Sequence, residues 1–282
     1  MATARYFSLF ALATALGCSS NSTTSSCPAG MVCTAADAGG DAAPGGDTMA
    51  TDTANSDTAS ADTAAFMCNP VEPLCTDDQI LDLSLFKPAS DRTIDNAADG
   101  NGFLSTIDSS GGGFSPTEAY VYAKFTDKGL IPVAIGDEKA FVSQDWDIAA
   151  RRFIVRLNGG VSGPSCVTAY KFSSANKFDE VTAIPDGATF KPEAYYDASC
   201  KVVADKSGLG TPATQLATFW KYSNCVQMTG AVFALQLANG RHVKLSVSSY
   251  YQPDAQTACN AKGSVPQGSE GGNLGVRWAF LD

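Results

Sequence analysis

Gly230-Ala231-Val232-Phe233-Ala234-Leu235-Gln236-Leu237-Ala238 runs into Asn239-Gly240-Arg241 and leaves through His242-Val243-Lys244-Leu245-Ser246-Val247-Ser248-Ser249-Tyr250. Apolar and other residues alternate on both sides of an Asn-Gly, the strongest short-range signal for a β-hairpin. A three-residue loop over Asn239, Gly240 and Arg241 predicts that Leu237 faces Val243, Leu235 faces Leu245 and Phe233 faces Val247. Six apolar side chains then share one face, and His242 and Lys244 point away from it, so His242 reads as a solvated strand residue.

The same short alternation, broken by Gly, Pro, Asn and Asp, extends outward from this hairpin. Further strands are predicted at Ala119 to Phe125, Phe153 to Leu157, Cys166 to Phe172 and Gly275 to Leu281. Helical periodicity is scarce. The reading is all-β: an antiparallel β-rich single domain over residues 67–282.

Upstream the chain changes character. From Thr34 to Ala65 it uses only Ala, Thr, Asp, Gly, Ser, Pro, Asn and one Met, too little apolar surface to offset the entropy of ordering. Asp-Thr recurs at Asp47, Asp52, Asp57 and Asp62, a spacing that fits neither a helix nor a strand, so residues 18–66 are expected to be a disordered tether. Its stretch from Ser19 to Phe66 would span roughly 150 Å fully extended and about 40 Å as a flexible coil.

Residues 1–17 carry one basic side chain, Arg5, then the apolar run Tyr6 to Leu16, then Gly17 before Cys18. That run is shorter than the roughly 20 residues a membrane-crossing helix needs, and it reads as a secretion signal. Ala15-Leu16-Gly17-Cys18 resembles the lipobox of bacterial lipoproteins, which implies a lipid-bearing Cys18 and a membrane anchor. Ser19 beside it points to the outer membrane, with the domain facing the periplasm or the cell surface.

Charge narrows the partners. The chain carries −10 formally; six of its 29 acidic side chains and one of its 19 basic ones precede residue 67, leaving 23 against 18 in the domain. Nucleic acid is therefore not an expected partner. The aspartates of the tether lack the spacing of a calcium loop.

Nine cysteines become eight once Cys18 carries lipid, and an even number in an exported chain points to disulfides. Cys27 with Cys33 and Cys68 with Cys75 are expected as local loops flanking the tether. Cys166, Cys200, Cys225 and Cys259 then pair among themselves in one of three ways. No C-x-x-C occurs and His242 is the only histidine, so no metal site is expected.

Three stretches are similar to the HmuY family, β-rich lipoproteins of Gram-negative bacteria named for members that capture haem. The first is Trp146-Asp147-Ile148-Ala149-Ala150-Arg151-Arg152, continuing from Val155 through Asn158-Gly159-Gly160 to Gly163. The second is Phe219-Trp220-Lys221-Tyr222-Ser223, and the third runs from Val232 through Asn239-Gly240 to Tyr250. With Tyr120-Val121-Tyr122, the resemblance covers about residues 78–282. Physically, Trp-Asp followed by alternating apolar residues and Asn-Gly-Gly describes a core strand entering a tight glycine turn. Arg151 and Arg152 read as surface charges able to pair with carboxylates such as Asp145.

The resemblance implies a haem or tetrapyrrole binder that serves an outer-membrane transporter. The chemistry departs from the family's: one histidine ligand falls where this chain has Asn224, and no histidine or methionine lies between Trp146 and Trp220. Bis-histidine and bis-methionine ligation within the chain are thereby excluded. Candidate haem ligands are Met228, the one methionine beyond residue 67, the tyrosinates of Tyr195 and Tyr196, and His242 across a shared haem. The alternative is a scaffold that lost its haem site and binds another small molecule, a glycan or a protein. Catalysis is not expected. The chain offers one histidine and no G-x-S-x-G elbow, and the adjacent pairs Asp137-Glu138 and Asp179-Glu180, read as strand residues, point to opposite faces.

Overall fold

Alternation in the sequence becomes layering in space. The structure, a computed structural model, describes residues 68–70, 72–111 and 117–281. The expected signal segment, Cys18, the expected tether, Cys27 and Cys33 lie outside the described residues. In chain order the elements are α1 (Thr76–Asp82), β1 (Ile94–Asp99), β2 (Gly102–Asp108), β3 (Val121–Thr126), β4 (Gly129–Val133), α2 (Asp137–Val142), β5 (Ile148–Arg151), β6 (Ile154–Leu157) and β7 (Thr168–Lys171). They continue with β8 (Trp220–Tyr222), β9 (Val226–Met228), β10 (Phe233–Gln236), β11 (His242–Tyr251), α3 (Pro253–Lys262) and β12 (Gly271–Phe280).

Six strands pair in the order β1-β2-β12-β11-β10-β7, four in the order β4-β3-β5-β6, and β8 and β9 form a separate hairpin, every pairing antiparallel. The all-β expectation holds. The main core lies between the two large sheets, where Leu235, Val243, Leu245 and Trp278 meet Val121, Ala123, Phe125 and Leu157. Alternation along β3 sends Tyr122 to the opposite face, where it joins Tyr120, Trp146, Tyr195 and the apolar side of α1 in a second cluster. A third cluster, Phe172, Phe178, Val181, Val232 and Ala234, covers the outer face of the larger sheet.

The hairpin forms with its register moved by two residues. Phe233 pairs with Leu245 and Leu235 with Val243, and the loop is Ala238-Asn239-Gly240, closed by the Leu237 amide on the Arg241 carbonyl. Gly240 takes φ +83°, the left-handed residue that ends a three-residue loop, which is why the loop closes one residue early. A shift of two keeps the predicted face, and all six apolar side chains are buried on it. The opposite face is not solvated as expected, because the third cluster lies over it. Lys244 is buried there, its Nζ donating to the carbonyls of Phe178 and Val181, and His242 is half-buried with its ring 5.4 Å from that of Phe190.

The Trp146–Gly163 motif is built into the frame. Trp146 Nε1 donates to the Ala140 carbonyl, Asp147 accepts the Phe125 amide, and Asn158 Nδ2 donates to the carbonyls of Ser143 and Trp146. A Cβ on Gly159 would sit 2.2 Å from the Val167 carbonyl oxygen and one on Gly160 2.2 Å from that of Glu193, so only glycine lets these backbones meet. Arg151 is not a surface charge. It is buried over the Tyr120 ring, 4.1 Å from its centroid, and donates to the carbonyls of Leu83, Ser84 and Glu118, while Asp145 bonds to Ser143. The carboxylate pairs also sit elsewhere than expected: Asp137 and Glu138 open α2, and Asp179 and Glu180 lie in a 3-10 turn.

The disulfides correct the predicted pairing. Cys68 joins Cys166, Cys75 joins Cys200, and Cys225 joins Cys259. Cys68 and Cys75 do not close a local loop, because the N-terminal segment carrying α1 packs against the second cluster, which brings each cysteine beside a distant strand or loop. No helix among the described residues is long and apolar enough to cross a membrane.

Candidate functional site

The β8–β9 hairpin is too short to stand alone, with three residues in each strand. Helix α3 holds it in place. Pro253 starts that helix and Gly263, at φ +70°, ends it. From α3, Cys259 bridges to Cys225, Gln227 Nε2 donates to the Cys259 carbonyl, and Asn260 Oδ1 accepts the Met228 amide. Gln256 reaches further, accepting the Tyr250 amide and donating to the Val226 carbonyl. Asn224 sits at the hairpin tip at φ +59°, a conformation asparagine tolerates better than most side chains.

Beside β8 lies a cleft of about 710 Å³. Trp220 and Phe172, both buried, form its floor together with Ala217 and Ala231. Val203 and Tyr222 line it while remaining 43% and 47% exposed. Lys171, Lys206 and Lys221 also line it, against one carboxylate among the described residues, Asp205, which accepts from the Thr211 hydroxyl at 2.5 Å and from the Ser207 amide. Its volume falls within the range of small-molecule sites, and an apolar floor with a basic margin suits a flat, apolar ligand bearing anionic groups.

The far wall, from Val203 to Thr218, depends on Glu193. One carboxylate oxygen of this buried side chain accepts the Leu157 amide at 3.0 Å, the other the Gln215 amide at 2.8 Å, tying the wall to β6. Burial pushes the Glu193 carboxyl up to about 8, against the opposing pull of the two amides and of Arg156.

The four predicted haem ligands are dispersed, and none lines the cleft. Met228 packs at the margin of the main core, Tyr195 and Tyr196 belong to the second cluster, and His242 lies against Phe190 beside the third. Burial holds the Tyr195 and Tyr196 hydroxyls well above their ordinary range, and the Asp82 carboxylate beside Tyr196 adds to it, so tyrosinate is disfavoured at both. Tyr222 is the residue that sequence reasoning passed over: it stood within a quoted motif, and the signal was its place two residues from Trp220 on one strand, hence on one face. Among the described residues no group of three or more histidine, cysteine or acidic side chains is placed to hold a metal ion.

Two packed antiparallel sheets with a side cleft, basic at its margin and apolar at its floor, define a β-rich module. The chain belongs to the HmuY protein family, whose profile matches residues 116–262, or 147 of 282. Among solved structures, one described as an HmuY-like heme binding protein from Bacteroides vulgatus ATCC 8482 is 14% identical, covering 70% of this chain and 99% of that one at a TM-score of 0.40. One described as a lipoprotein, from Bacteroides fragilis NCTC 9343, is 12% identical over 66% of this chain and 94% of its own, TM-score 0.40. The apo HmuY analog of Tannerella forsythia is 13% identical over 69% and 98%, TM-score 0.34. A search of curated proteins found no match.

Proposed function

We propose that this protein is a lipid-anchored extracytoplasmic binder that captures a haem-class ligand in the cleft beside β8 and passes it to an outer-membrane transporter. Cys18 carries the anchor, residues 18–66 hold the domain clear of the membrane, and the domain binds rather than catalyses. One observation carries the reading: the cleft is built on Trp220–Tyr222, part of the segment through which the chain resembles its family, and three lysines there face one engaged carboxylate. A porphyrin's apolar ring would lie along Trp220 and Phe172, with its carboxylates toward the lysines. The test is equilibrium binding of haemin and of metal-free protoporphyrin, followed through quenching of tryptophan fluorescence. Saturable quenching by both supports the reading, and none by either refutes it. Loss of acyl labelling in Cys18→Ala tests the anchor.

A second reading has its own observation. Among the described residues no histidine, methionine or cysteine lines the cleft, so the scaffold would serve a different small ligand, a glycan or a protein. Failure of both porphyrins beside saturable binding of an anionic saccharide would favour it.

A further inference from the structure

We infer that Tyr222 is the iron ligand of the cleft and that the site is selective for ferric over ferrous haem; this rests on the haem-class reading above. Of the residues lining the cleft, those able to bond iron are Tyr222, the three lysines and Asp205. Asp205 is taken up by Ser207 and Thr211. Among the described residues the three lysines are the cationic lining of the cleft, and they are the partners for ligand carboxylates. Tyr222 is 47% exposed, and its hydroxyl forms no hydrogen bond among the described residues. It lies at the end of β8 next to the tip, and its backbone is fixed by pairing with Val226, whose neighbour Cys225 is bridged to α3. The side chain is thus free at its oxygen and anchored at its root.

Tyrosine binds haem iron as the phenolate. On coordination the Tyr222 O–H bond breaks, its proton passes to solvent water and an oxygen lone pair fills a position on Fe(III); no electron is transferred. The anionic oxygen donor favours the harder ferric ion. When an added reductant delivers one electron, Fe(II) holds the phenolate poorly, the oxygen regains a proton and the iron bond is lost. Binding therefore depends on oxidation state, which two neutral soft ligands would not impose.

The experiment titrates the full chain, disulfides intact, with haemin and with metal-free protoporphyrin, comparing wild type, Tyr222→Phe and Tyr222→His. Wild type gives a ferric spectrum with phenolate modes in resonance Raman. Tyr222→Phe loses those modes and weakens haemin by about tenfold or more, a change of at least about 1.4 kcal/mol, while protoporphyrin binding is unchanged. Tyr222→His restores haemin affinity with an imidazole-type spectrum and keeps it after dithionite, whereas wild type falls after dithionite to the affinity of Tyr222→Phe. Equal haemin affinity and equal spectra in wild type and Tyr222→Phe would overturn the ligand assignment and leave the haem-class reading standing. Wild type that binds neither porphyrin would overturn both.

Discussion

Glu193 ties the cleft wall to the sheet, and its burial makes the stability of the domain depend on pH. Its carboxyl titrates at about 8 in the folded protein against an ordinary 4.5, burial being the main cause. Between those values the folded state retains a proton that the unfolded chain has released, so stability is full below 4.5, falls as pH rises and levels off above 8. At about 1.4 kcal/mol per pH unit, the loss from pH 5 to pH 7 is about 2.5 kcal/mol. For a domain of this size that is roughly 5–10 °C in melting temperature. Burial raises Asp137 and Asp147 as well, with the same sign. Asp108 and Glu118 are lowered, Glu118 mainly by its bonds to Arg92, and they act only in more acid solution, below their ordinary values of 3.8 and 4.5. Glu193→Gln removes the titration but turns an amide NH2 toward one of the two backbone donors, costing about 1–3 kcal/mol at pH 5. Thermal melts followed by circular dichroism from pH 5 to 8 should show wild type falling steeply and Glu193→Gln starting lower with less than half the slope. Equal melting of wild type at pH 5 and pH 8, or parallel slopes in the two proteins, would show that Glu193 does not hold its proton on folding.

Replacing Cys225 and Cys259 by serine opens a loop whose ends are 34 residues apart, worth about 4 kcal/mol on the chain-entropy estimate; a large fall in melting temperature and weaker ligand binding are expected, since β8 loses its clamp. Gly159→Ala should cost more than about 2 kcal/mol in urea unfolding because its Cβ meets the Val167 carbonyl at 2.2 Å, whereas Gly208→Ala, with open space around it and only a φ of +80°, should cost about 1 kcal/mol. Asn158→Ala removes bonds to Ser143, Trp146 and Ser165 and should cost about 2–4 kcal/mol, with loss of the Trp146 environment in near-UV dichroism.

Legibility followed burial. Strands β3, β6, β7, β10, β11 and β12 showed in the sequence because a core face imposes alternation, as at Phe233 and Leu235. Strand β1, Ile-Asp-Asn-Ala-Ala-Asp at the sheet edge, shows none, and exists by pairing with β2. Helix α3 carries no apolar stripe to read; it is held through Cys259, Gln256 and Asn260. The hairpin's face was legible although its register was not, since a shift of two residues conserves every facing side chain. The partners of Cys68 and Cys75 depended on where the α1 segment docks, a long-range fact invisible in local spacing. In the cleft, Trp220 and Tyr222 were legible as a motif, but Lys171, Val203 and Lys206 reach it from elsewhere in the chain, and only the fold assembles them.

Haem capture in the cleft is tested most simply by a haemin titration of the whole chain beside Thr218→Trp, which puts a large ring into the cleft from an exposed position. Wild type should give a Soret band that saturates at about one haem per chain, and Thr218→Trp should lose it, both proteins keeping the same β-rich circular dichroism. A band that saturates equally in both would place the ligand elsewhere, and no saturable band in wild type would contradict haem capture by this fold.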